Sequence, residues 1–200
     1  MYKYKSSIIS NKEAYPIIEG GKGVAVSNGV TAGNFALNGA VGTISVVLPD
    51  YSDDITGNQY LMDYSNLTRL ERHNKMIQLA IEGGIKQIKT ARDICGKNGV
   101  IHINMLWEAG GAIKILNGIL DKVSTLIDGI TCGAGMPYLL SEMASSHKNY
   151  YYPIVSSMRA FSILWKRKYS NFSKYLGGVV YEDPWLAGGH NGLSSKPLNW

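Results

Sequence analysis

The sequence predicts an α/β protein of the TIM-type (β/α)8 barrel class, with about six of the eight β/α units falling inside its 200 residues. Three observations carry that expectation. Short apolar runs alternate with longer segments of helical periodicity, which implies parallel strands joined by right-handed crossovers. Gly, His, Asn and Cys gather just after the apolar runs, at nearly every strand-to-helix junction. In a barrel those junctions share one rim and can feed one site, whereas an open doubly wound sheet needs them only at its switch point. Finally, 45% hydrophobic and 18% charged residues supply a sizeable core for a single domain spanning residues 1–200.

The elements follow in order. Tyr15-Pro-Ile-Ile-Glu19 reads as a first strand, with Pro16 at a start where no ladder donor is needed. Gly20-Gly-Lys-Gly23 is a tight loop, and Thr31 to Asn38 a short helix with Ala32, Phe35 and Ala36 on one side. Val41 to Val47 is a β-branched strand of buried character. Residues 48–65 form a long polar loop, a length usual for functional lids or irregular segments. Leu67 to Ile94 is helical with an interruption at Gly83-Gly84, its stripe marked by Leu70, Ile77 and Ile81. Val100 to Leu106 is the third strand. Ala112 to Val123 is a helix with Ile115, Leu116 and Ile119 inward, and Gly129 to Cys132 is the fourth strand. Tyr138 to Ser145 is a helix and Tyr152 to Val155 the fifth strand. Met158, Phe161 and Trp165 mark the core side of the next helix. Gly178 to Tyr181 is the sixth strand, followed by a loop over Glu182 to Ser195. A closed barrel needs eight strands and ~250 residues, so the chain is expected to be a C-terminally truncated piece.

Charge and cysteine usage narrow the function classes. The net charge of +5 is mild and scattered. Its densest cluster, Lys166-Arg167-Lys168, reads as a solvated helix face rather than a nucleic-acid patch. Cys95 and Cys132 lack metal-type spacing and fit a reducing cytoplasm. No run approaches the ~20 apolar residues of a membrane span, and no signal-peptide pattern follows Met1. The sequence carries no signal for oligomeric state.

Several constellations could carry chemistry. In Leu186-Ala-Gly-Gly-His190-Asn-Gly192, Gly188 and Gly189 let backbone approach a flat ligand, and His190 titrates near neutrality, so it can exchange protons without extreme tuning. The turn at Gly21, Lys22 and Gly23 can expose amides to a phosphate or ring edge, although it lacks the G-x-G-x-x-G spacing of a dinucleotide fingerprint. Asn104, at an otherwise apolar strand end, needs hydrogen-bond partners from a ligand heterocycle or a neighbouring loop. Gly133-Ala-Gly-Met-Pro137 again brings backbone to the rim. Cys132 reads as a small buried hydrophobe rather than a nucleophile. His102 reads as a packed strand residue, and of Glu182 and Asp183 one is expected to orient its loop. No His/Asp/Glu cluster sits at strand ends, which disfavours a metal site.

Together, Tyr15–Val24, Ile103-Asn104, Cys132–Pro137 and Leu186–Gly192 resemble, in that order, the nitronate monooxygenase family, also called 2-nitropropane dioxygenase-like flavoproteins. The resemblance implies an FMN-binding barrel. It maps flavin contacts onto Gly21, Lys22, Gly23, Asn104 and Gly133, and a catalytic base onto His190, framed by Gly188 and Gly189. Lys22 departs from the family's Met, and the family's phosphate loops follow strands seven and eight. The implied reaction oxidises alkyl nitronates or nitroalkanes with O2 to a carbonyl compound and nitrite. Similar in fold, loop and cofactor are flavin-dependent enoyl-thioester reductases, which would use NAD(P)H. A non-catalytic partial barrel acting as a binding module is the reading from another class.

Overall fold

The computed structural model describes residues 5–23, 26–47 and 65–186, and the statements below concern these residues. A five-stranded parallel sheet curls into a half-barrel. Its strands are β3 (Val41–Ser45), β4 (Val100–Leu106), β5 (Gly129–Gly133), β6 (Tyr150–Val155) and β7 (Val180–Tyr181), in spatial order 3-4-5-6-7. An antiparallel hairpin precedes them, β1 (Ser7–Ile9) with β2 (Lys12–Ala14). Five helices alternate with the strands: α1 (Gly29–Leu37), α2 (Arg69–Cys95), α3 (Ala112–Val123), α4 (Leu140–Ser146) and α5 (Met158–Arg167).

Strand alternation sorts the two faces of the sheet. Ile44, Val46, Ile101, Ile103, Met105, Ile130, Cys132 and Tyr151 join one apolar core with Ile88, Ile115, Leu116, Ile119 and Leu140 from the helices. The opposite phase, on the concave side, carries Thr43, Ser45, His102, Asn104 and Thr131, all buried. A barrel interior is usually filled by branched apolar side chains. Here the concave face is polar instead.

Glycine sets how closely the layers approach. A Cβ on Gly42 would overlap the Ala32 backbone of α1. A Cβ on Gly29 would overlap the Gln87 carbonyl of α2, and one on Gly33 would sit 2.8 Å from Ile94 Cβ. The first helix is therefore clamped between β3 and α2. Asn28 starts it with a capping box, its side chain accepting from Thr31 N–H at 3.0 Å.

Several sequence expectations are corrected. Tyr15–Glu19 is not a full strand: it meets β3 only through a parallel bridge between Ile18 and Val41. Tyr15 N–H instead donates to Gly39 O, and Pro16 has no N–H to extend a ladder. The N-terminal hairpin was not anticipated. Its two-residue turn places Ser10 and Asn11 at φ 50° and 61°, conformations that Asn tolerates and Ser rarely adopts. The second helix runs unbroken through Gly83 and Gly84, because both are buried and a Cβ on Gly84 would meet Ile119 of α3 at 2.8 Å. Packing recovers the propensity cost of ~1 kcal/mol per mid-helix glycine. Two apolar stripes were placed too broadly. Leu70 and Met158 are 67% and 80% exposed, and Leu164 is the buried residue of α5. Boundaries also shift: α4 begins at Leu140, β6 at Tyr150 and β7 at Val180.

The hairpin seals the N-terminal end of the half-barrel. Lys12 pairs with Asp128 at 2.9 Å, and Asp128 also pairs with Arg92 and accepts from Ile101 N–H. At the hairpin tip, Ser10 Oγ lies 2.9 Å from His102 Nε2 and 2.8 Å from the Tyr152 hydroxyl.

Candidate functional site

The site lies toward the C-terminal ends of β3, β4 and β5. Register places Ser45 beside Asn104 and Asn104 beside Thr131, all on the concave face. Thr43 and His102 form the row beneath. The loop Gly20–Gly23 descends onto the upper row from the segment bridged to β3. A Cβ on Gly21 would overlap the Asn104 side chain, and one on Gly23 would stand 3.7 Å from Ser45 Oγ. Glycine is needed at position 21 because no side chain fits between the loop and Asn104.

Ser27 holds the loop in place. Its Oγ accepts from Lys22 N–H at 3.0 Å and donates to Gly20 O at 3.1 Å, while its carbonyl accepts from Ser45 N–H at 2.9 Å. Ser27 is 1% exposed, so these bonds are made out of water. The Lys22 ammonium turns back over the loop. It donates to Gly20 O at 3.3 Å and stands 3.6 Å from Glu19 Oε1. The Glu19 side chain is 4% exposed and also accepts from Thr43 N–H. A buried carboxylate requires such partners. The lysine at this position therefore has a local counter-charge of its own.

The orientation of Asn104 follows from its neighbours. Thr131 Oγ1 lies 3.0 Å from Asn104 Oδ1 and 3.2 Å from Ile103 O, with one proton to share between them, and Asn104 Nδ2 stands a long 3.5 Å from Gly21 O. The flipped amide would set Oδ1 against that carbonyl, acceptor facing acceptor. The Gly21 carbonyl thus keeps the Asn104 N–H on the side of the glycine loop, which packs directly on it. Two buried hydroxyls on the same face, Ser45 Oγ and Thr43 Oγ1, have no hydrogen-bond partner among the described residues. Buried polar groups are normally satisfied, so this row has unused capacity for a polar ligand.

The structure brings together Gly21, Lys22, Gly23 and Asn104 from the sequence expectation. Gly133 lies on the same face, one pleat above Thr131, but Ile154 covers it: a Cβ there would meet Ile154 Cβ at 2.9 Å. Beyond it, Ala134 and Gly135 take φ of 55° and 110°, so the rim turns sharply here. His190, Gly188 and Gly189 lie outside the described residues, as does most of the 48–65 loop. Sequence reasoning missed Glu19, Ser27, Ser45 and Thr131. The period-2 placement of Thr43 and Ser45 opposite Ile44 and Val46 was the available signal for the polar row.

The remaining titratable groups fall into structural places. Cys132 is fully buried in the helix-facing core, and burial pushes its thiol well above the usual range, so it packs as a hydrophobe. Asp183 Oδ1 accepts from Trp185 N–H at 2.8 Å and shapes its turn. Among the described residues there is no cluster of three or more His, Cys, Asp or Glu able to hold a metal, and no helix long and apolar enough to cross a membrane.

Gly21→Ala should force the loop and the Asn104 amide apart, a strain of about 1–3 kcal/mol. The Asn104 side-chain resonances in a 15N spectrum should move. Gly20→Ala should leave them in place, because nothing lies within 4 Å of that position.

No family model matches the sequence, and no curated protein matches it. Solved structures do match by shape. FabK from Thermotoga maritima aligns with TM-score 0.52 at 15% identity, over 76% of this chain and 37% of that one. A single-substitution mutant of the same protein aligns with TM-score 0.52 at 13% identity, over 76% and 40%. Likeness at such identities defines the fold, a partial TIM-type barrel. The chain spans about two fifths of the length of these neighbours.

Proposed function

We propose that this chain forms part of an FMN-dependent oxidoreductase barrel of the nitronate monooxygenase type. The observation that carries the reading is a buried polar row, Thr43, Ser45 and Asn104, where a barrel interior is usually apolar, capped by a glycine loop at the C-terminal ends of the strands. A flat heterocycle would lie against the rim beside that loop, since the loop itself already packs on Asn104. The shape likeness to FabK supports it, since FabK is an FMN-dependent enoyl-ACP reductase of the 2-nitropropane dioxygenase-like group.

In this reading Gly21, Lys22 and Gly23 carry backbone to the edge of the ring, with Asn104 packed behind the loop. Ser27 holds the loop in shape, and the Glu19–Lys22 pair fixes its charge balance. Bound FMN supplies the redox chemistry, and the protein supplies orientation and proton handling. His190 removes the α-proton of a neutral nitroalkane, a contribution of ~10²–10⁴-fold. The products are a carbonyl compound and nitrite, with O2 as oxidant.

The second reading, reduction of an enoyl thioester with NAD(P)H, draws on the same FabK likeness as the first. Two assays separate them: oxygen consumption with a preformed nitronate, and NAD(P)H oxidation with an enoyl thioester. Both begin from yellow protein, so flavin absorbance in neither this chain nor a version extended to a closed barrel would end the flavoenzyme proposal. His190→Asn should slow turnover of neutral nitroalkanes about 10²-fold or more while sparing preformed nitronate. Equal slowing of both substrates would remove the base assignment.

A further inference from the structure

The N-terminal hairpin is tied to the half-barrel more than packed into it. Ser7, Ile8 and Glu13 are exposed, Ile8 by 72%. Its apolar anchorage is small: Ile9 and Ala14 pack against Val41 and Val100, apart from the main core. The other ties are polar. Lys12 Nζ reaches Asp128 and the carbonyls of Lys97 and Gly99. At the tip, Ser10 N–H donates to the Tyr152 hydroxyl at 3.1 Å, and Ser10 Oγ meets both His102 and Tyr152. A segment with few buried apolar contacts opens at a fraction of the cost of global unfolding.

His102 is the tie that a proton can break. Its residue lies mid-β4, flanked in register by Thr43 of β3 and Gly129 of β5. Nε2 faces Ser10 Oγ, whereas Nδ1 is buried with no partner among the described residues. The neutral ring therefore carries its proton on Nε2, donates it to Ser10 and leaves Nδ1 as a bare lone pair. A second proton would put an N–H on Nδ1 with no acceptor, and an unmet buried charged donor is costly. Thr43 and Gly129 have nothing to ionise. Glu19, which accepts from Thr43 N–H, has its counter-charge in Lys22. The Asp128 carboxylate attracts an imidazolium, but Lys12 of β2 and Arg92 of α2 already hold it. From β6 the facing group is the Tyr152 hydroxyl, raised by burial and so neutral.

We propose that the hairpin is a proton-released latch: when His102 takes a second proton, β1 and β2 leave the N-terminal end of the half-barrel while the parallel sheet stays folded. The charged ring needs water. The hairpin is the neighbour that can leave without breaking a ladder of the parallel sheet, because β3 and β5 bond to β4 on both sides. Burial holds the latched ring at about 4, below an ordinary 6.5. The released form therefore binds the proton more tightly, and release is favoured as pH falls through that window.

The test is native-state amide exchange on the full chain at pH 7.5 and pH 5, compared as protection relative to an unstructured amide at the same pH. The Ser10 amide reports on the latch, because its bond crosses to β6. It should exchange through an opening less costly than that of Ile103 in β4, and nearly insensitive to low urea. From pH 7.5 to pH 5 that opening should become about thirtyfold more populated, roughly tenfold for each pH unit below 6.5. His102→Gln should hold its population constant over the same range. Equal opening free energies and urea slopes for Ser10 and Ile103 would overturn the latch, by showing that the hairpin opens only with the whole domain. A local Ser10 opening whose population ignores pH in wild type, or keeps its full pH dependence in His102→Gln, would overturn the proton's part in it.

Discussion

Gly42→Ala is expected to be the most damaging single methyl that can be added to this chain. The added Cβ would overlap the carbonyl oxygen, the carbonyl carbon and the Cα of Ala32. These are backbone atoms of a helix, so no rotamer change relieves the clash. The helix cannot retreat either, because Gly29 and Gly33 already hold it against Gln87 and Ala91 of α2. Overpacking of this kind costs about 3 kcal/mol or more at such a site. In a domain whose whole stability is ~5–15 kcal/mol, that is a large share. Thermal unfolding followed by circular dichroism should show a fall of roughly 10 °C. The effect should reach the site as well, because Ser27, which clasps the glycine loop, lies two residues before the displaced helix. Gly20→Ala is the control, with open space around it. Equal unfolding temperatures for the two variants would show that α1 is not clamped as described.

That clamp also shows what can be read from the letters. Alternating apolar runs and helical periodicities were visible, and they located β3 to β7 and four of the five helices to within a few residues. The rim glycines and Asn104 were visible too, because Gly pairs and a lone Asn interrupt otherwise apolar runs. What escaped was information held in phase and in long-range contact. Val41–Ser45 was read by its apolar content, so Thr43 and Ser45 were passed over, although their period-2 spacing puts both on one face. Glu19 looked like the end of a strand. Its burial follows from contacts with Thr43 and Lys22 that depend on the chain folding back. Gly83-Gly84 was read as a break because propensity is local, whereas the close approach of α3 that uses those glycines is tertiary. The hairpin tip was invisible because the partners of Ser10 are 92 and 142 residues away.

Those distant partners set the second large effect, a loss of stability in mild acid. His102 is fully buried, and desolvation lowers its pKa to about 4 from an ordinary 6.5. The nearby Asp128 carboxylate pulls the other way but does not win. The folded state thus binds the proton more weakly than the unfolded chain does. Stability from the neutral imidazole is fully present above pH 6.5 and declines as pH falls through the window from 6.5 to about 4. At 1.36 kcal/mol per pKa unit, the decline amounts to about 2 kcal/mol by pH 5 and roughly 3 kcal/mol across the window. The Tyr152 hydroxyl beside it is raised by burial and stays protonated throughout this window. Urea unfolding at pH 7.5 and pH 5 should therefore differ by about 2 kcal/mol in wild type. His102→Gln keeps a polar group near Ser10 but has nothing to titrate. It should be less stable at pH 7.5 by about 1–2 kcal/mol, yet lose little more at pH 5. A variant that kept the full acid loss would assign the loss to other groups and free the hairpin seal from His102.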